Sequence, residues 1–335
     1  RDLVRSRGLG DVYKRQKCYH LGMGKNVSKS SLARANQDRD YHIFEEYAYY
    51  LVSEARQKCA NHIFKLGGNV YAFDSTTIDL CLSVFWWAKF RKKKGGIKVH
   101  TLYDVETQIP AFFHITEASV HDSKVMIEIP YEPSSYYIFD RGYNNFKILY
   151  KIHQIEAYFV VRAKKNLGYK SIQWKRRLPK NVLSDASVFL TGFYPKQYYP
   201  EPLRLVKYWD EEQEREFTFI TNAMHISALQ VAELYKNRWQ VELFFKWLKQ
   251  HLKIKRFWGT TENAVRIQIY AAICAYCLVA IIQHDMQLNR STYEVLQILS
   301  ISLTDKTHLR DLFDKTKFQN DKERFGPNGP SLFNF

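Results

Sequence analysis

The sequence predicts an α/β fold, a mixed sheet flanked by helices, with a β-rich insertion before a long helix. Three observations predict it. Short apolar runs at residues 70–73 and 136–139 each stop at an aspartate, Asp74 and Asp140. Two more runs, 97–103 and 109–115, flank the polar turn 104–108 and read as a hairpin. Beyond residue 144 helical and strand patterns alternate, which lays helices on a sheet.

The elements follow in order. Residues 28–65 mix apolar and aromatic positions with Lys, Arg and Glu, an amphipathic helical pattern that Gly67-Gly68 ends. Strands at 70–73, 97–103 and 109–115 come next, then a short helix at 123–129. A strand at 136–139, a helix at 144–153 and a strand at 157–161 complete the order β-β-β-α-β-α-β. A long helix, 227–252, closes it. This is the order of an RNase H-like fold. Between residues 163 and 221 the pattern departs from it: strands are expected at 189–193, 203–209 and 216–221, punctuated by Pro179, Pro195, Pro200 and Pro202. Helices near 263–284 and 292–299 follow, and the Gly-, Pro- and Asn-rich end 321–335 reads as frayed. The expected organisation is a foreign or disordered leader at 1–16, a helical N-terminal segment at 17–66, and a catalytic core at 67–162 and 222–300. A β-rich insertion at 163–221 interrupts the core, and a tail covers 301–335.

Composition narrows the partner. The 335 residues are 46% hydrophobic and 16% aromatic, enough for a real core and unlike a disordered chain. Lys and Arg number 50 against 34 Asp and Glu, a formal charge of +16. That excess favours a polyanion, most simply nucleic acid, although a basic protein with another role would share it. Cations lie beside aromatic residues at Arg91-Lys-Lys-Lys94, Lys175-Arg176-Arg177 and Lys253-Ile-Lys255-Arg256, a mixture suited to phosphates and unpaired bases. Five cysteines, an odd number, argue against a disulfide framework. Cys274 and Cys277 have CxxC spacing but sit in an apolar run and read as buried thiols. That run, 271–282, is too short to cross a bilayer of about 30 Å and reads as a core helix.

The chemistry concentrates in Tyr235-x2-Arg238-x3-Glu242-x6-Lys249. At about 100° per residue these four side chains fall within an arc of roughly 60°. An acid, two cations and a phenol on one face suit a metal-bound phosphate, and a surface helix can mix charges the same way. Asp74 and Asp140 change the balance. Both close apolar strands that can be parallel neighbours, and sites in α/β sheets gather at such strand ends. Three convergent carboxylates can hold two hard divalent cations for in-line attack at phosphorus. Each acid taken alone reads better as a turn cap or a surface acid.

Tyr71-Ala-Phe-Asp74-Ser-Thr-Thr, Asp140-Arg141-Gly142-Tyr143 and the Tyr-Arg-Glu-Lys spacing together resemble the DDE transposases of bacterial insertion sequences. The likeness is in particular to insertion-sequence family four, and it covers roughly residues 28 to 318. The resemblance implies Asp74, Asp140 and Glu242 as catalytic ligands of two Mg²⁺ ions, with Mn²⁺ as a substitute. It implies that Tyr235, Arg238 and Lys249, with Arg141, Lys246 and Lys253, grip double-stranded DNA. The DNA would be the element's terminal inverted repeats and the target. Phe217 and Trp209 are candidates to stack on a flipped base, and core packing is the better reading of each. A homodimer that pairs two ends in the bacterial cytoplasm, at the nucleoid, is implied as well. Relatives carry a fuller N-terminal DNA-binding domain, so the chain is expected to be N-terminally truncated. A nuclease without strand transfer, or a silent DNA-binding remnant, would share most of these residues.

Overall fold

The computed structural model describes residues 28–60, 64–91, 94–251, 257, 259–302 and 308–315. The chain divides into two compact units, one of residues 32–278 and one of residues 1–31 with 279–335. Every described strand lies in the first.

Ten strands among the described residues form one sheet. They are β1 (Val70–Leu80), β2 (Lys89–Arg91), β3 (Lys94–Asp104), β4 (Ile109–Glu117), β5 (Tyr136–Phe139), β6 (Tyr158–Arg162), β7 (Tyr169–Trp174), β8 (Val182–Leu190), β9 (Leu203–Asp210) and β10 (Arg215–Thr221). The order is β2-β3-β1-β5-β6-β10-β9-β8-β7, with β4 also paired to β3. Read from β4, the strands run β4-β3-β1-β5-β6: an antiparallel β4-β3-β1 meander, then β5 and β6 parallel to β1. This is the RNase H-like arrangement expected from the element order, and β10 to β7 extend it antiparallel from β6.

The two central parallel strands are apolar because both of their faces are covered. All four residues of β5 are buried. On one face Tyr71, Phe73, Tyr137, Phe139, Phe159 and Val161 pack with Ile148, Leu149 and Ile152 of a helix, Phe146–Gln154. Asn145 caps that helix by accepting from the Ile148 N–H at 3.4 Å. The opposite face meets α6 (Ala228–Asn237) and α7 (Trp239–His251) in the numbering used below. The helices before them are α1 (Lys29–Asp38), α2 (His42–Lys58), α3 (Asp122–Val125), α4 (Phe146–Gln154) and α5 (Phe193–Tyr198). After them come α8 (Glu262–Asp285), α9 (Thr292–Ser302) and α10 (Leu309–Lys315). In the second unit Val279, Val295, Ile298 and Phe313 form a small apolar cluster.

Four expectations are corrected. β1 does not stop at Asp74 but runs to Leu80, because its antiparallel partner β3 continues while the parallel ladder to β5 ends at Phe73. The strand expected at 189–193 is β8 followed by α5, and the edge strand β7 was not foreseen. The single helix expected at 227–252 is two. The Arg238 N–H bonds to the Tyr235 carbonyl at 3.1 Å and the Val241 N–H to the Arg238 carbonyl at 3.3 Å, i to i−3 bonds that tighten the chain between α6 and α7. The apolar run at 271–282 lies in α8, whose 24 residues are long and apolar enough to cross a membrane by length and composition. Over half of its most apolar window is buried inside the protein, as in a core helix. Cys274 and Cys277 are buried in it, and burial pushes their thiols up to about 11 and about 12.

A buried ion pair secures the inserted strands. Arg204 on β9 donates two bonds of 2.7 Å to the Asp185 carboxylate on β8, and its third nitrogen donates to the Ile226 carbonyl at 2.5 Å. Both side chains are almost fully buried. Removing one partner of such a pair strands the other charge, at a cost of about 3–5 kcal/mol. Arg204→Ala is therefore expected to lower stability by about that amount in urea unfolding, with Lys175, 3.1 Å from Asp185, recovering part of it. A loss below about 1 kcal/mol would contradict this account.

Candidate active site

Phe73 and Phe139 are register partners in the parallel ladder, so the residues that follow, Asp74 and Asp140, emerge side by side. Side chains alternate along a strand. Ala72 and Ile138 face α6 and α7, and the aspartates continue that alternation toward the same helices. Gly68 precedes β1 at a close crossing: a Cβ there would lie 2.0 Å from the Ser134 carbonyl oxygen, so only glycine lets β1 start beside β5.

The helices answer with Tyr235 from the last turn of α6, Arg238 from the junction and Glu242 from the first turn of α7. Ser227 starts α6 with a full capping box to Gln230. Arg238 donates to the Asp74 carboxylate at 2.9 Å and to the Glu242 carboxylate at 2.5 Å. The Tyr235 hydroxyl donates to Asp140 at 3.0 Å. One arginine thus joins two acids far apart in sequence, and one tyrosine holds the third. Lys246 and Lys249 line a cleft of about 470 Å³ together with Asp74 and Glu242. Asp140, Tyr235 and Arg238 line a larger groove of about 1010 Å³.

The remaining sequence candidates separate. Arg141 is exposed, directly after Asp140. Phe217 is 4% exposed, its ring covered by the Arg215 guanidinium at 4.2 Å and the Arg162 guanidinium at 5.0 Å. It also packs on Tyr235, with ring centroids 5.8 Å apart. Trp209 is 39% exposed on β9 and lines neither cleft. Lys253 lies outside the described residues.

Other neighbours of the acids are Tyr143, part of the Asp140-Arg141-Gly142-Tyr143 motif, and Arg162 and Trp239, for which the sequence carries no separate signal. Tyr143, three residues after Asp140, donates to Asp74 at 3.4 Å. Arg162 ends β6 and Trp239 opens α7, and both line the larger groove. Behind Asp74 lies a polar cluster. The Ser75 hydroxyl donates to Asp122 at 2.8 Å, and Lys98 reaches the same oxygen at 3.1 Å. Burial works against the Asp122 charge, and the bonds from Ser75 and Lys98 outweigh it, so its carboxyl sits below the usual range. His100 is fully buried beside them, and burial lowers it to about 4, keeping it neutral at physiological pH. His121-Asp122 forms a helix start, in which His121 accepts from the Ser123 N–H.

Electrostatics favours a cation among the acids. Burial, helped by the charges of Glu242 and Asp140, pushes the Asp74 carboxyl up to about 6 against the opposing pull of Arg238 and the Ser75 N–H. Burial likewise pushes the Tyr235 phenol up to about 12. Three carboxylates are hard oxygen donors of the kind that suits Mg²⁺ or Mn²⁺. Among the described residues no three acidic, histidine or cysteine side chains are gathered closely enough to hold an ion as they stand. The donor chemistry fits a divalent cation, and Arg238 supplies the positive charge between two of the donors.

A sheet of this order, with Asp74 and Asp140 at neighbouring strand positions and Glu242 joined to Asp74 through Arg238, is that of an RNase H-like core. The family described as Transposase DDE domain matches residues 65–278, and the chain belongs to that family. A Sinorhizobium fredii protein bearing the name transposase y4zB is 37% identical over 246 residues, 71% of this chain and 67% of that one. A Geobacillus stearothermophilus protein, named as a transposase for the insertion sequence element IS5377, is 27% identical over 74% of this chain and 66% of its own length. A Synechocystis protein, named for the element IS4SA, is 25% identical over 84% of this chain and 80% of its own. The chain spans about two thirds of the first two relatives.

Asp74 gives a pH-dependent expectation. Its folded pKa of about 6 exceeds the ordinary 3.8, so above pH 6 the fold bears the cost of a charge that burial disfavours. The shift corresponds to at most about 3 kcal/mol. In metal-free protein at alkaline pH, Asp74→Asn should raise the melting temperature. The gain should shrink as pH falls from 6 toward 4, where wild-type Asp74 becomes neutral in both states. An unchanged or lower melting temperature at alkaline pH would refute this.

Proposed function

We propose that this chain is the transposase of an insertion sequence, cutting double-stranded DNA at the element's ends and joining the freed 3′-hydroxyl to target DNA. The observation that carries the reading is the hydrogen-bonded set Asp74–Arg238–Glu242 with Tyr235–Asp140 at the end of the parallel ladder. The names of the relatives, two of which refer to insertion sequence elements, support it.

In this reading Asp74, Asp140 and Glu242 hold two Mg²⁺ ions, for which Mn²⁺ can substitute. Those ions, when bound, stabilise the attacking and leaving oxygens of an in-line phosphoryl transfer. Tyr235 and Arg238 bind phosphate oxygens of the strand to be cut, and Lys246 and Lys249 neutralise neighbouring phosphates. Tyr143 and the Ser75 N–H fix the Asp74 carboxylate. No side chain bonds covalently to DNA; the nucleophile is water in cleavage and a 3′-hydroxyl in joining. Two copies of the chain, one on each end, act together in the bacterial cytoplasm. The Tyr-Arg-Glu-Lys spacing supports insertion-sequence family four, whose members commonly excise through a hairpin.

The burial of Phe217 against Tyr235 supports a packing role for that ring, so Trp209 is the more accessible of the two base-stacking candidates.

The test uses duplexes carrying the inverted repeats that flank the gene. Wild-type protein with Mg²⁺ should cut them and join a pre-cleaved end to plasmid. Asp140→Asn should lose at least about a thousandfold in cutting rate, more than about 4 kcal/mol of transition-state stabilisation, while binding the duplex with similar affinity. Cutting without joined product would favour a nuclease on the same core, and no cutting by the wild type would refute the enzyme reading.

A further inference from the structure

The residues that the proposed function assigns to DNA are not idle in the structure. Arg238 spans Asp74 and Glu242, and Tyr235 holds Asp140. Each proposed metal ligand is therefore engaged by a proposed phosphate ligand. Arg238 holds the two carboxylates through its two terminal nitrogens, so an end-on bidentate contact to a phosphate must break at least one of those bonds.

We propose that Arg238 is an exchangeable counter-ion that couples DNA engagement to metal loading at this site. Without DNA the guanidinium neutralises Asp74 and Glu242 and competes with a divalent cation for their oxygens. A strand phosphate offers the guanidinium another anion. When Arg238 turns to it, two carboxylates lose their counter-charge and their affinity for a divalent cation rises. The inference rests on the proposed function for the identity of the two ligands, a nucleic acid phosphate and a hard cation.

Three observations support an exchangeable contact rather than a fixed one. The Arg238 side chain keeps 14% of its surface exposed and Glu242 30%, unlike the Arg204–Asp185 pair, where both values are below 5%. The Arg238 Nε is buried without a hydrogen-bond partner, so the guanidinium is incompletely satisfied where it lies. Buried ion pairs gain most when every donor is used, so this one is easier to leave. Arg238 also lines the large open groove, from which a strand can reach it, while Asp74 and Glu242 line a different cleft. The formal charges agree: two carboxylates share one guanidinium, leaving an excess of negative charge for incoming cations.

Linkage makes the coupling reciprocal. If DNA raises cation affinity by some factor, the cation raises DNA affinity by the same factor. A transposase built this way keeps its metal site weak until a strand is in place.

The test measures binding rather than turnover. Mn²⁺ affinity is read by electron paramagnetic resonance, alone and with a pre-cleaved duplex end blocked by a 3′-dideoxy nucleotide. Duplex affinity is read by fluorescence anisotropy with and without Mn²⁺. For wild-type protein the two enhancements should be equal and about tenfold or more. Arg238→Gln, which keeps size and removes charge, should bind Mn²⁺ about tenfold tighter than wild type without DNA, and its enhancement by the duplex should fall toward one. Arg238→Ala should behave alike, and thermal melting checks that both variants fold. Equal Mn²⁺ affinity in wild type and variants, or an enhancement that survives in them, overturns the coupling while leaving the metal site intact. Mn²⁺ binding that Asp74→Asn does not weaken, or no binding at all, overturns the metal reading of the proposed function and the coupling with it. Unequal enhancements in the wild type also overturn the coupling.

Discussion

The parallel pairing of Phe73 with Phe139 is the contact on which the site depends. A parallel ladder brings two strands to the same level pointing the same way, so whatever follows each strand emerges at one edge. Here an aspartate follows both. The antiparallel ladder on the other side of β1 has a different effect: it lets β1 run on past Asp74 to Leu80, so Asp74 sits on a fixed strand rather than in a loop. Asp140, by contrast, starts a turn, and its position relies on the Tyr235 hydroxyl. One acid is held by the sheet and the other by a helix, and α6 must therefore be placed as accurately as the strands.

Burial sets the electrostatics. The same covering helices that make β5 entirely apolar also remove water from Asp74, whose charge then costs free energy. That cost makes the Asp74 charge depend on a cation, whether Arg238 or a metal. Glu242 shares the same guanidinium, while Asp140 is held by the Tyr235 hydroxyl instead. The polar cluster of Ser75, Lys98 and Asp122 shows the alternative solution a residue or two away, where a lysine and a hydroxyl satisfy an acid permanently.

Much of the central sheet was legible in sequence because the parts of its strands that lie in the parallel ladder are short, apolar runs. β5 was readable to the residue, since both faces are buried and its apolar run has sharp limits. The extension of β1 was encoded in the alternation of buried Thr76, Ile78 and Leu80, but polar Ser75, Thr77 and Asp79 between them masked it. β7 could not be read, because as an edge strand it is exposed along nearly its whole length and shows no periodicity. The junction at Arg238 was equally hidden: its backbone angles remain helical, and only the hydrogen-bond spacing changes. The four-residue face computed for one straight helix nevertheless brought Arg238 and Glu242 together, because they sit four residues apart across the junction. What periodicity could not supply was the partner of each group. The bond from Arg238 to Asp74 joins residues 164 positions apart, and only the assembled sheet creates it.

The insertion belongs to this same framework rather than hanging from it. Its last strand, β10, pairs with β6 and presents Phe219, whose ring centroid lies 4.7 Å from that of Tyr235. Phe217 adds a second ring to the same support, which accounts for its burial better than a role in stacking on a base. At the other end of α6, Arg204 of β9 grips the Ala223 and Ile226 carbonyls just before the Ser227 cap. The inserted strands therefore fix α6 twice, at the loop that starts it and at the side chain that ends it. Tyr235 reaches Asp140 only if both hold. The residues between the fifth core strand and the glutamate helix thus position the acid that the sheet alone leaves at the start of a turn.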